Sequence, residues 1–317
     1  MSLTLHLRSP ASPVRAYLEE AFPMLEQSKR GSPLAKELSS FLGFSKLPSC
    51  RLPTFAPKSN QSTIGTAVDY RFRYHFCSYD AHETVAALGV RMLGGKAGKV
   101  GRRFLDHHNE FVGRLAPVGR QLGTEDEAAL NTNCVTLAWF EQVFRINAVF
   151  PEFDSLLKRG KVEDLVAGVQ PEMINDISQL STAFASDAKA LFKANAILNP
   201  TFLGSRDIAG DADIIVDNTI IDFKCTAKTD ASKLRDAAYQ LLGYVLLDYD
   251  NEYAISDLMV YLPRQRDSWR VPLWHFVLAP ADVILLLTRK DAANVDALVT
   301  ERLRERRKEF RKIVRSL

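Results

Sequence analysis

The stretch Gly210-Asp211-Ala212-Asp213-Ile214-Ile215-Val216-Asp217-Asn218-Thr219-Ile220-Ile221-Asp222-Phe223-Lys224 decides how this chain is read. Ala212–Val216 and Thr219–Lys224 are short apolar runs of strand type, and Asp217-Asn218 between them is turn chemistry, which predicts a β-hairpin. Side chains two apart on a strand share a face. Asp222 and Lys224 therefore project together, with Ile221 and Phe223 on the opposite, buried side. Asp211 and Asp213 share a face on the preceding strand, and the hairpin can bring Asp213 beside Asp222. So many charges at strand ends are costly to bury without a metal or an ion-pairing role. The plain alternative is a half-exposed hairpin whose Asp and Lys face water, and a bare DxK would favour it.

The flanking segments place this hairpin in a mixed α/β core. Ala196–Phe202 is a further β-type run before it. Lys233–Leu247 reads as a helix after it, then Asp257–Leu262 and Val271–Leu278 as strands, then 280–317 as helix. Upstream, residues 14–45 read as helical pieces and 46–64 as a Pro- and Ser-rich loop. Thr66 to about 115 reads as mostly helical with a break at Gly94-Gly95, 127 to about 148 as a long helix, and Pro171–Asn195 as another. Two regions follow. Residues 1–195 are mainly helical, with a first core helix near 64–75 among them if Asp69 belongs to the site, and 196–317 form the α/β core with a basic C-terminal helix.

Two carboxylates and a lysine on neighbouring strands suit one kind of chemistry. Breaking a phosphodiester requires neutralised phosphoryl oxygens, a nucleophilic water and a stabilised leaving oxygen. Magnesium held by a few carboxylate oxygens supplies much of this, and a lysine beside it can orient the water as a point cation. Downstream, Gln240 and Tyr244 lie one helical turn apart on one face.

Gly-Asp-Ala-Asp, an apolar strand, a turn and Ile-Ile-Asp-Phe-Lys-Cys-Thr, followed by Gln-x-x-x-Tyr, resemble the RecB-like branch of the PD-(D/E)xK nuclease superfamily. The matching motifs cover about residues 196–278. The resemblance implies a restriction-endonuclease-like core, a mixed sheet flanked by helices. It implies Asp213 and Asp222 as metal ligands, Lys224 as the water-positioning cation, and Gln240 and Tyr244 as supports facing the site. The implied cofactor is Mg2+, with Mn2+ as a substitute. The implied activity is hydrolysis of phosphodiester bonds, of DNA in the first instance. Such domains carry one more ligand upstream, for which Asp69 and Glu141 both stand. Asp69, in Ile64-Gly65-Thr66-Ala67-Val68-Asp69, is similar to an R-G-x-x-x-H element with Asp in place of His. Glu141 is a carboxylate on a strongly apolar helix, where an ion pair with Arg145 would also explain it. Cys225 stands between Lys224 and Thr226, where the motif often runs from Lys directly to Thr. Arg206 and Lys228, flanking the hairpin, are candidate phosphate contacts. The rival reading is a nucleic-acid-binding or assembly protein that keeps this fold without cutting.

Composition sets the remaining bounds. Of 317 residues, 46% are hydrophobic and 25% charged, as in ordinary globular chains. No apolar run is long enough for a membrane span, and the start is not that of a secretory signal. Cys50, Cys77, Cys134 and Cys225 form no CxxC pair, which favours free thiols and a cytoplasmic setting. The net charge of +3 hides an asymmetry, because residues 301–317 carry eight basic side chains against three acidic ones. That segment is either a phosphate-binding tail or a solvated helix laced with Glu–Arg pairs. Gly94-Gly95-Lys96-Ala97-Gly98-Lys99-Val100-Gly101-Arg102-Arg103 fails the phosphate-loop spacing and reads as a flexible basic loop. His107-His108 reads as a surface pair. The helical first part is expected to read substrate, gate access, or meet a second copy or a protein partner.

Overall fold

A computed structural model of the chain describes residues 2–22, 49–115, 122–189, 195–228, 231–278 and 292–317. Five strands form one mixed sheet in the order β1 (Ala196–Leu198), β2 (Ile214–Val216), β3 (Thr219–Phe223), β4 (Asp257–Leu262), β5 (Asp267–Pro272). The first three make an antiparallel meander. Asp217, in the connection from β2 to β3, takes a φ of 52°, which Asp tolerates better than most residues. β3 then pairs in parallel with β4, and β5 returns antiparallel.

The helices are α1 (Leu3–Arg8), α2 (Pro13–Ala21), α3 (Gln61–Arg73), α4 (Val85–Met92), α5 (Gly95–Arg114), α6 (Thr124–Ile146), α7 (Pro151–Arg159), α8 (Val162–Ala167), α9 (Pro171–Asp187), α10 (Ala231–Leu247), α11 (Trp274–Val277) and α12 (Ala292–Arg315). A parallel pair of strands needs a crossover, and α10 provides it between β3 and β4. Its Leu234, Ala237, Ala238, Leu241, Leu242 and Val245 are buried at intervals of three and four residues, an apolar stripe laid against the sheet.

Both faces of the sheet are covered, and the pleat sorts its side chains between two cores. Ile214, Val216, Ile221, Phe223, Met259 and Tyr261 join residues of α3, α4, α5, α6 and α9. Ile215, Ile220, Leu258, Val260 and Leu262 join α1, α2, α10 and α12. The hairpin is therefore buried on both sides rather than half exposed, and Asp222 retains only 3% of its surface. Arg264, at the turn after β4, is fully buried. It donates to both carboxylate oxygens of Asp176 on α9 at 2.9 and 2.8 Å, to the Cys225 carbonyl at 3.0 Å, to the Pro53 carbonyl at 3.1 Å and to Gln61 Oε1 at 3.2 Å.

Several expectations are corrected here. The strand expected at Val271–Leu278 is β5, at Asp267–Pro272, followed by the short α11. The helix expected to reach Asn195 ends at Asp187, and β1 stops at Leu198 instead of Phe202. Helices α7 and α8 were not foreseen. The glycine-rich segment is no loop: Gly95 opens α5. Lys96 Nζ there donates to the Lys158 carbonyl at 2.9 Å and Arg103 to the Gly160 carbonyl at 2.9 Å, cations that cap the end of α7. His108 is fully buried and hydrogen-bonded to the Tyr74 hydroxyl at 2.5 Å, while only His107 is exposed. The basic terminus is a packed helix: Leu303, Phe310 and Val314 are buried, and Arg307 donates to the Val245 carbonyl at 3.0 Å. The expected helical structure over 23–45, the apolar run Val283–Leu287 and the start of the terminal helix before 292 lie outside the described residues. Among the described residues no helix is long and apolar enough to cross a membrane.

Helices α4 and α6 approach so closely that a Cβ on Gly89 would lie 1.8 Å from the Phe140 carbonyl oxygen. Gly89→Ala must push these helices apart and is expected to cost about 1–3 kcal/mol or more. Gly113→Ala, on the exposed side of α5 where a Cβ meets nothing, is expected to gain up to about 1 kcal/mol from the better helix former. Urea denaturation of the two variants checks the contrast, and equal midpoints would contradict the close approach.

Candidate active site

The site is assembled where β2 begins and β3 ends. Ile214 pairs with Ile221, so one step further Asp213 stands opposite Asp222. The ladder gives way there to a side-chain bond: Asp213 Oδ2 accepts the Phe223 backbone N–H at 2.7 Å. Asp222 lies on the face of Ile220 and Val260, toward α10. Lys224 Nζ donates to Asp222 Oδ1 at 2.9 Å and to Gln240 Oε1 at 3.0 Å, and Gln240 Nε2 donates to the Tyr244 hydroxyl at 2.8 Å. The Tyr244 ring is held in turn by Phe202, stacked at 5.8 Å between centroids. Lys224 is thus fixed from two sides, by a carboxylate on its own strand and an amide from the crossover helix.

From the opposite side of the sheet, α3 and α6 add two more carboxylates. Asp69 Oδ2 pairs with Arg73 one turn along α3. Glu141 is buried and accepts the Tyr70 hydroxyl at 2.6 Å and Arg145 Nε at 2.6 Å. Arg73, itself buried, lies 5.1 Å over the Tyr70 ring.

The electrostatics tie these groups into one cluster. Burial pushes the Asp69 carboxyl well above the carboxylate range; Arg73 opposes that and the charges of Asp213 and Glu141 add to it. Burial likewise raises Asp213, against Lys224 and the Phe223 N–H. It raises Asp211, against Arg145 and reinforced by Glu141. It pushes Asp222 up to about 6, with Lys224 pulling down and Asp213 pushing up. Burial works against the Lys224 ammonium, yet Asp222 and Asp213 hold it above its ordinary value. Burial raises the Cys225 thiol to about 12, so it is inert as a nucleophile.

Asp69, Glu141, Asp211, Asp213 and Asp222 thus face Arg73, Arg145 and Lys224, five acidic groups against three cations in a desolvated place. Among the described residues no three His, Cys, Asp or Glu side chains converge on one point as a ready cation cage. The reason is visible in the partners: Arg73 takes Asp69, Lys224 takes Asp222, and a backbone N–H takes one oxygen of Asp213. The donor set nevertheless fits a hard divalent cation. Asp69 Oδ1 is buried and finds no hydrogen-bond partner among the described residues. Asp222 Oδ2 lies 2.8 Å from Lys224 Nζ, but off the hydrogen-bond axis. An open hollow of about 640 Å³ bordered by Phe55, Ser178, Thr182 and Arg266 contains no carboxylate and shares no residue with this cluster.

No family model, curated protein or solved structure matches this chain. The site is therefore read from its own chemistry. Asp213, Asp222, Lys224, Gln240 and Tyr244 come together around β3, and both Asp69 and Glu141 adjoin them. Arg206 and Lys228 are exposed; Lys228 contributes its carbonyl to Thr226 Oγ1 and Lys233 Nζ, and among the described residues neither side chain makes an ion pair with the cluster. Tyr70 and Arg73 were missed, although Arg73 stands at the i+4 position from Asp69 that helical pairing favours.

The raised Asp222 carboxyl has a consequence for stability. Between the ordinary carboxylate value and about 6, the folded chain holds a proton that the unfolded chain has lost, so this group's contribution falls as pH rises through that window. The buried His75 and His108, both lowered to about 3 chiefly by burial, act in the opposite sense. The Asp222 share is therefore the difference between Asp222→Asn and the unmodified chain. That variant is expected to gain on the order of 2 kcal/mol relative to the parent between about pH 4.5 and about pH 7. Urea denaturation across that range measures it, and a difference that shrinks with pH refutes the raised carboxyl.

Proposed function

We propose that this chain is a metal-dependent nuclease that hydrolyses phosphodiester bonds, with DNA as the first substrate to test. The observation that carries the reading is the bonded series Asp222–Lys224–Gln240–Tyr244, set beside Asp213 in a cluster of five acidic groups and three cations. The five-stranded mixed sheet flanked by helices supports the finer assignment of a PD-(D/E)xK core, as does the position of the carboxylates at the carboxyl end of β3, beside its parallel partner.

Asp213 and Asp222, with Asp69 or Glu141, would hold magnesium or manganese, which when bound supplies Lewis-acid charge at the scissile phosphate. The chain's own groups have separate tasks. Lys224, kept as an ammonium by Asp222 and Asp213, is a hydrogen-bond donor and point cation rather than a base, suited to orienting the attacking water and facing the phosphoryl oxygens. Gln240 sets the direction of that ammonium, and Tyr244 fixes which way the Gln240 amide is turned. The burial of β3 on both faces keeps bulk water from the Asp222 carboxylate and so strengthens its interaction with Lys224.

A second reading, a non-cleaving nucleic-acid-binding or assembly protein, draws on one observation: Arg73 already satisfies an oxygen of Asp69. The two are separated by incubating pure protein with supercoiled, linear and single-stranded DNA and with RNA, in magnesium, manganese or chelator. Cleavage that requires the metal is expected. Binding with no cleavage under any of these conditions would favour the second reading.

A further inference from the structure

We propose that the last turn of α6 receives an unpaired nucleic-acid strand, with Phe144 stacking on a base and Arg145 contacting the adjoining phosphate. This rests on the nuclease reading and narrows its substrate to a single strand or a frayed end.

Glu141 is buried beside Tyr70 within the carboxylate cluster. At 100° per residue, Phe144 and Arg145 follow it by three and four positions, so ring and guanidinium flank that carboxylate on either side. Three cations belong to the cluster. The Arg73 side chain is 6% exposed, Lys224 33% and Arg145 54%, so Arg145 is the one that an incoming phosphate meets first. Its guanidinium is held at the cluster by Glu141, 2.6 Å away, and its charge lowers both Asp211 and Asp213.

Phe144 is 43% exposed and Ile146 60%, while Asn147, with φ at 50°, ends the helix and opens the surface beyond them. A lone exposed apolar residue is ordinary. An aromatic ring next to the outermost cation of an acidic cluster is a different matter, because those two groups are what one nucleotide offers partners to. The base presents a π-face and the phosphate accepts from a guanidinium. Bases in a duplex are already stacked on one another and leave no face for a single ring, so the arrangement selects an unpaired strand.

The test is fluorescence anisotropy in chelator, where no cleavage occurs, with labelled oligo-dT, oligo-U and a DNA duplex of equal length. Phe144→Ala is expected to weaken binding of the single strands about ten-fold and leave the duplex unchanged, while Phe144→Trp restores the affinity. Arg145→Gln is expected to lower the salt slope of single-strand binding by about 0.7, the share of one phosphate. The two single strands differ only in sugar and base methyl, and whichever binds more tightly names the source. Equal losses on duplex and single strand, no loss with Phe144→Ala, or no binding by the unmodified chain each overturn the proposal. Cleavage by the unmodified chain with Phe144→Ala silent leaves the nuclease reading standing without this surface. Phe144-dependent binding without any cleavage keeps the surface and removes the nuclease.

Discussion

Asp222→Asn is expected to abolish metal-dependent cleavage, and Lys224→Met to lower it at least about a hundred-fold, the usual loss when one preorganised charge is removed from a reacting centre. Asn keeps the shape of Asp222 and its place on β3, but it removes the charge that anchors Lys224 at 2.9 Å. The ammonium then keeps Gln240 and the more distant charge of Asp213 but no carboxylate in direct contact. Lys224→Met keeps the aliphatic stem and deletes the cation, so the loss should appear in the single-turnover rate more than in substrate affinity. Gln240→Leu is a milder lesion, since Lys224 retains its carboxylate and loses only direction. The measurement is single-turnover cleavage with enzyme in excess. Variants that cut as fast as the parent would assign the activity to a contaminant.

The largest effect on stability is expected at Arg264. All its donors are used inside the protein, and neither it nor Asp176 retains any surface. Arg264→Met leaves the Asp176 carboxylate buried without its counter-charge and is expected to cost about 3–5 kcal/mol. Replacing both, Arg264→Met with Asp176→Leu, removes the stranded charge and should recover most of that loss. A double variant as unstable as the single one would show that the other contacts of Arg264, to Cys225, Pro53 and Gln61, matter more than the ion pair. Because the Cys225 carbonyl sits one residue from Lys224, the single variant should also slow cleavage at temperatures where it remains folded.

Much of the site's core was legible because strand geometry is short-range. Two-residue periodicity places Asp222 and Lys224 together, and a turn at Asp217-Asn218 returns Asp213 to them. What escaped depends on neighbours distant in sequence. β5 was displaced because an edge strand carries exposed, polar side chains, here Ser268 and Arg270, while the more apolar run beginning at Val271 drew the assignment. Gly98 and Gly101 looked like flexibility. They serve close packing, since a Cβ on Gly98 would meet the Leu93 carbonyl oxygen at 2.2 Å and one on Gly101 would meet Val90 at 2.8 Å. His108 was misplaced because nothing local marks which of two adjacent helical residues faces the core.

The carboxylates of this cluster come from opposite ends of a long interval: Asp69 is followed by roughly 140 residues before Asp213 is reached. A ribosome adding about 5–20 residues per second needs several seconds or more to cross that interval, and β4, beside β3, comes later still. During synthesis the helical part can fold while holding Asp69, Glu141 and their arginines with no hairpin to complete them. The cluster forms only once the hairpin and β4 have emerged, so a nascent polypeptide that stops short of the hairpin holds Asp69 and Glu141 without Asp213, Asp222 and Lys224.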